Sequence, residues 1–99
     1  MKQHYHACIE SCNLCADACD YCATACLAED DVRMMADCIR ADLDCAAICR
    51  LAAGSMSRDG SFVHEICELC AETCSACAAE CERHPYDHLP RLRPGVPSL

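Results

Sequence analysis

The sequence has 99 residues, 14 of them cysteine, and a formal net charge of -8. This length suits one small domain, and the acidic surface makes nucleic acid and anionic lipid surfaces poor partners. The longest apolar runs span only a few residues, and Met1 to His4 carry no apolar leader stretch. We therefore expect no membrane partner and a cytoplasmic location.

That location decides how the cysteines are interpreted. A reducing cytosol keeps thiols free, so cysteines there bind metal or take part in catalysis more often than they form disulfides. Secreted disulfide scaffolds also place many Gly and Pro between their bridges, whereas this chain has only 3 Gly and 4 Pro. We expect free, metal-binding thiols, and a disulfide framework is the less favoured alternative.

The first predicted helix runs from about Lys2 to Leu27. Its cysteines follow one another in alternating steps of four and three residues, which is the seam of a heptad. The residues between them are mostly helix formers or solvent-compatible side chains. The stripe consists of Cys8, Cys12, Cys15, Cys19, Cys22 and Cys26.

The second predicted helix follows the acidic cluster Glu29 to Asp31, which suits a turn and then a helix N-terminus. We expect this helix to end near Ala53, because the residues from Gly54 to Ser61 are typical of a turn. Its inward stripe places one carboxyl group among thiols and reads Met35, Cys38, Asp42, Cys45, Cys49, Ala52 and Met56.

The third predicted helix begins near Ser61, a candidate N-cap, and ends at Pro85. Its stripe has the same alternating spacing and reads Val63, Cys67, Cys70, Cys74, Cys77, Cys81 and His84. Residues 85–99 are rich in Pro and predict an irregular tail. The expected organisation is a cysteine-lined bundle over residues 1–84 and a tail over residues 85–99.

Three amphipathic helices joined by short turns predict an all-α, antiparallel bundle of the four-helix-bundle type. Its stripes would face one another along a thiol-lined channel, which spans about 27 Å between Cys8 and Cys26. An ordinary core would use large aliphatic side chains, and these stripes nearly lack them. The pattern indicates that sulfur serves chemistry more than it serves packing.

Copper(I) fits these thiols best, because it is soft and accepts two or three thiolate ligands. Structural zinc sites usually place a cysteine pair on a turn, and iron–sulfur sites use irregular loops, whereas these pairs lie within helices. Each copper(I) that displaces a thiol proton leaves the local charge unchanged. We predict storage of multiple copper(I) ions. The alternatives are a zinc or general thiol–metal buffer, and a structural helical protein with a thiol-rich core.

Two other residues are candidate accessories of the metal site. A carboxylate is a hard ligand, so we favour Asp42 as an acceptor of hydrogen bonds from thiols over Asp42 as a ligand. His84 is either a nitrogen ligand at one end of the channel or a solvated histidine favoured by the helix dipole. The repetitive equivalence of the cysteines singles out no nucleophile, so we do not expect an enzyme.

Three segments resemble the bacterial copper storage proteins, cysteine-rich four-helix bundles, and in particular their cytosolic branch. The resemblance covers about residues 1–88 and rests on the segments from Ala7 to Cys12, from Cys38 to Cys49 and from Glu65 to Cys74. It implies copper(I) bound by inward-pointing cysteines, a role in copper storage or detoxification, and a homo-oligomer, often a tetramer. Besides copper ions, we expect a copper-delivering protein as a partner.

The sequence departs from this family after the third helix. The family has a fourth cysteine-bearing helix there, whereas residues 86–99 contain no cysteine. They do contain three prolines, which exclude a regular helix. We predict that the fourth helix is lost or frameshifted, since a shifted frame can spell cysteine codons at Leu89-Pro90, Leu92-Arg93 and Val96-Pro97. An exposed seam would then be covered by the tail, by another protomer or not at all, and oligomerisation becomes more favoured.

Overall fold

The chain forms an all-α bundle in a computed structural model that describes residues 5–84. The elements are α1 (His6–Leu27), a 3₁₀ helix (Val32–Met35), α2 (Ala36–Arg58) and α3 (Val63–Glu82). The described residues contain no β-strand, and the predicted fold class is confirmed. The predictions about an irregular tail and a lost or frameshifted fourth helix fall on residues 85–99, outside the described residues.

α1 starts later than the sequence predicts. Its N-cap position is Tyr5, with no hydrogen bond from a capping side chain, and the helix ends at Leu27 as expected. The backbone N–H of Ala28 donates to the carbonyl oxygen of Ala25 at 3.1 Å, and that of Glu29 donates to the carbonyl oxygen of Cys26 at 3.2 Å. A 3₁₀ turn then leads from the acidic cluster into α2.

The predicted end of α2 near Ala53 is wrong, because the helix continues to Arg58. Gly54 lowers helix propensity by only about 1 kcal/mol relative to Ala. The inward stripe also continues beyond it, and Ser55 and Met56 are both buried in the bundle. Burial of these two residues therefore outweighs the local turn signal.

The longer α2 moves the turn and corrects the predicted cap of α3. Asp59 ends α2 in the left-handed conformation, with φ 53°, and the N–H of Gly60 donates to the carbonyl oxygen of Ser55 at 2.9 Å. This is the hydrogen bond of a Schellman motif. Because the turn ends later, the N-cap position of α3 is Phe62 and not Ser61.

The sulfur contacts define the directions of the three helices. Cys45 of α2 contacts Cys15 of α1 and Cys74 of α3. Cys38, which is nearer the N-terminus of α2 than Cys45, contacts Cys81, which is nearer the C-terminus of α3 than Cys74. α2 and α3 are therefore antiparallel, as the short turns predict.

α1 and α3 run parallel to each other with a constant offset. Cys15 and Cys74 are 3.9 Å apart and 59 residues apart in sequence. The same offset relates Cys8 to Cys67 and Cys22 to Cys81. Three cysteines of α1 therefore lie level with a cysteine of α3, whereas the α3 positions level with Cys12 and Cys19 are Ala71 and Ala78.

α2 lies between the other two helices and packs directly against both. On the outside, the guanidinium of Arg50 joins α2 to α1 through Asp20 at 2.7 Å and Asp17 at 3.2 Å. Both ion pairs are solvent-exposed, so their contribution to stability is small, at most about 1 kcal/mol each. None of the described helices is both long and apolar enough to cross a membrane.

Candidate metal centre

The structure turns the three cysteine stripes toward one another. All fourteen cysteines are free thiols, and twelve of them are buried. The other two, Cys8 and Cys67, are half-buried. The whole stripe from Met35, at the end of the 3₁₀ helix, to Met56 of α2 is buried, including Asp42. Because the heptad spacing keeps these residues on one face of each helix, the interior of the bundle is a column of sulfur atoms.

Four thiols form a central group at the middle of this column. The sulfur of Cys74 lies 3.4 Å from that of Cys45, 3.5 Å from that of Cys49 and 3.9 Å from that of Cys15. The four sulfur atoms all lie within 4.8 Å of one another, and all four residues are buried. Each helix contributes to this group, so a metal ion bound here would crosslink α1, α2 and α3.

A second group surrounds the buried carboxyl group of Asp42. Its oxygens accept hydrogen bonds from the thiols of Cys77 at 3.1 Å, Cys81 at 3.8 Å and Cys38 at 3.9 Å. Two sets of potential ligands share this carboxyl group. One is Cys22, Cys26, Cys38 and Asp42, and the other is Asp42, Cys77 and Cys81.

The two groups are connected. Cys19, Cys45 and Cys77 also hold their sulfur atoms within 4.8 Å of one another, and Cys45 belongs to the central group. On the other side, the sulfur of Cys70 lies 3.7 Å from that of Cys49. Sulfur contacts therefore continue along the bundle without a break from Cys70 to the thiols around Asp42.

Burial keeps several of these thiols protonated in the metal-free protein. Loss of solvent raises the pKa of Cys26 and of Cys38 above the ordinary value of 9.0, and the hydrogen bond with Cys81 raises that of Cys38 further. The hydrogen bond with Cys81, followed by burial and the nearby Asp42, raises the pKa of Cys22. Neutral thiols are less costly to bury than thiolates, so the column can stay dry and folded without metal.

The central group contains the opposite case. A hydrogen bond from the thiol of Cys19 lowers the pKa of Cys15 to about 4, and one from Cys15 lowers that of Cys45. A thiol that donates to a thiolate stabilises the charged form of its neighbour. Protons are therefore shared unevenly within the column, and some of its sulfur atoms are poised to act as thiolate ligands.

His84 lies apart from the sulfur groups. It is half-buried and its Nε2 lies 3.1 Å from the Oε2 of Glu80, one turn earlier on α3. Among the described residues, none of the four groups of potential ligands contains it. His84 lies beyond the end of α3 at Glu82, and the half-buried state of Cys8 and Cys67 is the feature that sequence reasoning missed. The heptad spacing treats every cysteine alike and gives no signal of that difference.

A helical bundle with a continuous interior column of free thiols defines a class, the cysteine-rich proteins that bind soft metal ions in their core. Comparison with protein families is consistent with this class. The family model described as "Csp: Copper storage protein" matches residues 1–91. The chain belongs to the copper storage protein family.

Individual relatives agree with this assignment. The chain is 48% identical over 88 residues to the "Uncharacterized cysteine-rich protein YhjQ" of Bacillus subtilis (strain 168), over 89% of this chain and 82% of that protein. It is similar to the structure "Cu(I)-bound Copper Storage Protein BsCsp3" with TM-score 0.87 and 44% identity, over 95% of this chain and 89% of that one. It is also similar to apo-Csp3 of Bacillus subtilis, with TM-score 0.84 and 43% identity over 93% and 87% of the two chains.

Proposed function

We propose that this protein stores many copper(I) ions as thiolate complexes inside its helical bundle, in the cytoplasm. The observation that carries the proposal is the column of sulfur atoms, in which neighbours within each group are 3.4–3.9 Å apart and the thiols that connect the groups lie within 4.8 Å of one another. Copper(I) needs only two or three sulfur ligands, so neighbouring thiols along the column can form many binding sites. A single-ion site would not need a column of this length.

The proposed ligands are all the cysteines of the bundle over residues 1–84, with accessory roles for Asp42 and His84. Asp42 positions thiols by accepting their hydrogen bonds, and His84 stands at one end of the column. The ligand set is Cys8, Cys12, Cys15, Cys19, Cys22, Cys26, Cys38, Cys45, Cys49, Cys67, Cys70, Cys74, Cys77 and Cys81.

Charge balance supports a high capacity. When a thiol binds copper(I), a Cu–S bond forms, the thiol proton passes to the buffer and copper keeps its single positive charge. The buried charge is therefore unchanged for each proton replaced. The reaction is a reversible exchange of ligands with no turnover, which is why we propose storage or detoxification and not an enzyme.

Zinc binding is the second candidate function, because the geometry of the central group resembles a tetrahedral zinc site. Four sulfur atoms around a tetrahedral zinc ion, at Zn–S distances of about 2.3 Å, would lie about 3.8 Å apart. The distances of 3.4–3.9 Å from Cys74 to the other three thiols are close to this value. Against zinc, one divalent ion with four thiolates leaves net negative charge in a buried site that lies near Asp42.

An anaerobic titration tests the store. The reduced protein is titrated with copper(I), separated by gel filtration and assayed for copper and protein. We expect co-elution of about ten or more copper ions per chain, and a competing excess of zinc should not displace them. Saturation at one to three ions, or displacement of copper by zinc, would contradict storage.

A pair of variants makes the titration specific to the column. Cys74→Ala removes a sulfur that contacts three others of the central group and should lower the capacity. Thr73→Ala, at the neighbouring half-buried position, removes no sulfur and is the matched control, which should leave the capacity unchanged. Equal capacities in the two variants would mean that copper binds elsewhere.

We further propose that the protein forms a homo-oligomer, as large as a tetramer, through the outer face of α2 and α3. Leu51 and Leu69 are 47% and 52% exposed there and line one shallow groove with Ile48. Exposed leucines on adjacent helices are typical of a surface that a second copy covers. Copper would reach this oligomer from a copper-delivering protein.

Size-exclusion chromatography with light scattering tests the oligomer. Leu51→Glu combined with Leu69→Glu should convert the oligomer to monomers, because each buried charge in the interface would lack a partner. Leu14→Glu, at a leucine of α1 that is 57% exposed, is the control and should keep the native mass. A monomeric wild-type protein would rule out this part of the proposal.

A further inference from the structure

We infer that copper(I) enters and leaves the bundle at one end only, through a two-thiol site formed by Cys8 and Cys67. This inference rests on the proposed storage function and assigns a direction to it. We call this end the mouth, and it comprises Cys8, Cys67 and the neighbouring Met56. The opposite end, around Cys26, Cys38 and Cys81, is the closed end.

The first observation is the exposure of the thiols. Cys8 and Cys67 are the two half-buried cysteines, whereas the other twelve are buried. Copper(I) carried by another molecule must be handed over by ligand exchange, and an incoming sulfur can attack only where solvent or the carrier reaches the ligand. Both accessible thiols lie in the first layer of the bundle, at the starts of α1 and α3.

The second observation is that these thiols lie at the same level of the bundle. Cys8 and Cys67 share the 59-residue offset of Cys15 and Cys74, whose sulfur atoms are 3.9 Å apart. They also lie close enough for the charge of Cys8 to act on Cys67, and Cys70 of the next layer acts on both. Two thiols from two helices at one level can provide a two-coordinate copper(I) site.

The third observation is a cavity over this layer. It has a volume of about 600 Å³ and is lined by both half-buried cysteines, by Met56 and by the side chains of Tyr5, Val63 and His64. A cavity of this size admits the ligand atoms of a copper carrier. Three soft or borderline donors, the two thiols and the thioether of Met56, therefore lie together on its walls.

The closed end differs in each respect. Cys26, Cys38 and Cys81 are buried there, and so is the side chain of Met35 from the 3₁₀ helix. Beyond them, the half-buried His84 is held by Glu80. A carrier that approached this end would meet no accessible thiol among the described residues. Copper therefore reaches Asp42 and its neighbours from within the column.

The number of strong ligands increases inward from the mouth. At the mouth, α2 contributes Met56 and Ala52 where the deeper layers have cysteine, so only two thiols are present. In the next layer, Cys12, Cys49 and Cys70 interact through their thiols. Thiolates bind copper(I) more strongly than a thioether does, so an ion at the mouth gains affinity as it moves inward.

The transfer steps balance without any redox change. At the mouth, the bond between copper(I) and the carrier's donor atom breaks, a bond to the sulfur of Cys8 or Cys67 forms, and the thiol proton passes to the freed donor or to the buffer. Inward, the Cu–S bond to Cys67 is replaced by one to Cys70, whose proton returns to Cys67. The mouth thiols are then protonated and ready for the next ion.

Stopped-flow transfer from copper(I) bicinchoninate tests this route in the reduced, full-length protein. Cys8→Ser combined with Cys67→Ser should slow the initial transfer about tenfold or more. Cys26→Ser combined with Cys81→Ser removes two ligands from the closed end and should lower the final copper load, while slowing the initial transfer much less than the mouth variant does. Equal initial rates in the two double variants, or a slower closed-end variant, would overturn the inference.

Wild-type protein provides a second test that needs no variant. The metal-free protein is treated with less than two equivalents of N-ethylmaleimide, and labelled peptides are identified by mass spectrometry. We expect labels on Cys8 and Cys67, and slow copper uptake by the labelled protein. Labelling that begins at the cysteines of the closed end would contradict copper entry through the mouth. The equilibrium copper capacity of the wild-type protein separates the two proposals. A capacity of ten or more ions per chain, with equal transfer rates in the two double variants, would contradict only entry through the mouth. A capacity of one to three ions would contradict copper storage itself.

Discussion

The carboxyl group of Asp42 illustrates how one residue can organise a thiol-rich interior. A thiol is a weak hydrogen-bond donor, and thiols packed only against one another have no strong acceptor. Asp42 provides that acceptor to three cysteines of α2 and α3. Because the carboxyl group is fully buried and tied to both helices, it fixes the orientation of thiols before any metal binds.

Replacing Asp42 therefore tests its structural role. Asp42→Ala should lower the free energy of unfolding of the metal-free protein by about 1–3 kcal/mol, because the thiols lose their acceptor and a cavity remains. Asp42→Asn, which keeps the volume and one acceptor oxygen, should lower it by less than half as much. Urea denaturation of the reduced protein measures both. An Ala variant as stable as wild type would show that the carboxyl group does not support the fold.

At the scale of the element, the end of α2 shows how burial and local preference compete. Gly54 lies within the helix, and a Cβ atom there would meet only the flexible end of Arg58, at 3.0 Å. At Gly60, beyond the helix, a Cβ atom would come within 2.9 Å of the Oγ of Ser55, which is buried. A side chain can therefore be accommodated at Gly54 but not at Gly60 without a movement of Ser55.

This difference predicts opposite effects for the same substitution. Gly54→Ala should raise the free energy of unfolding by about 0.5–1 kcal/mol, because alanine loses less conformational freedom on forming a helix. Gly60→Ala should lower it, because Ser55 must move out of the way. Thermal unfolding followed by circular dichroism at 222 nm measures both. A stabilising Gly60→Ala would contradict the described turn.

The sequence predicts the elements well and their ends poorly. The heptad spacing gives three helices and their inward faces, because 3.5 residues per turn keeps every cysteine of a stripe on one side. It misplaces the end of α2 and the cap of α3, because the glycine and serine residues near Gly54 resemble a turn while Met56 is drawn into the core.

The residues of the candidate site can be predicted from the sequence, but their grouping in space cannot. Asp42 and the cysteines of the column are visible in the sequence as members of the stripes. Their division into the central group, the group around Asp42 and the mouth is not, because it depends on which helix faces which at each level. The exposure of Cys8 and Cys67 likewise depends on the cavity beside them, which involves residues from all three helices.

At the scale of the whole molecule, the thiols make stability depend on pH. Burial raises the pKa of Cys8, Cys26, Cys38 and Cys67 above the ordinary 9.0. Above that pH the unfolded chain has lost these protons while the folded protein still holds them. The unfolded state then binds fewer protons, so the free energy of unfolding falls as the pH rises. Thiols with raised pKa outnumber those with a lowered one, Cys15, Cys45 and Cys70.

We therefore expect the melting temperature of the metal-free, reduced protein to fall steeply between about pH 9 and pH 11. Protein loaded with copper(I) is the control and should lose much less stability over this interval, because its thiols have already given up their protons to the metal. Differential scanning fluorimetry under nitrogen measures both forms. A metal-free protein whose melting temperature is constant across this range would contradict the protonated column.

The constant offset between α1 and α3 has a consequence for how such a protein can change over evolutionary time. The thiol layers along the bundle share one heptad spacing, so capacity grows with the length of the helices and is not a property of one assembled centre. Adding a heptad to each of the three helices would add about two more layers without disturbing those already present. Losing one would shorten the reservoir in the same proportion. A store built in this way can be resized by simple duplication or deletion, which a site with a fixed set of ligands cannot.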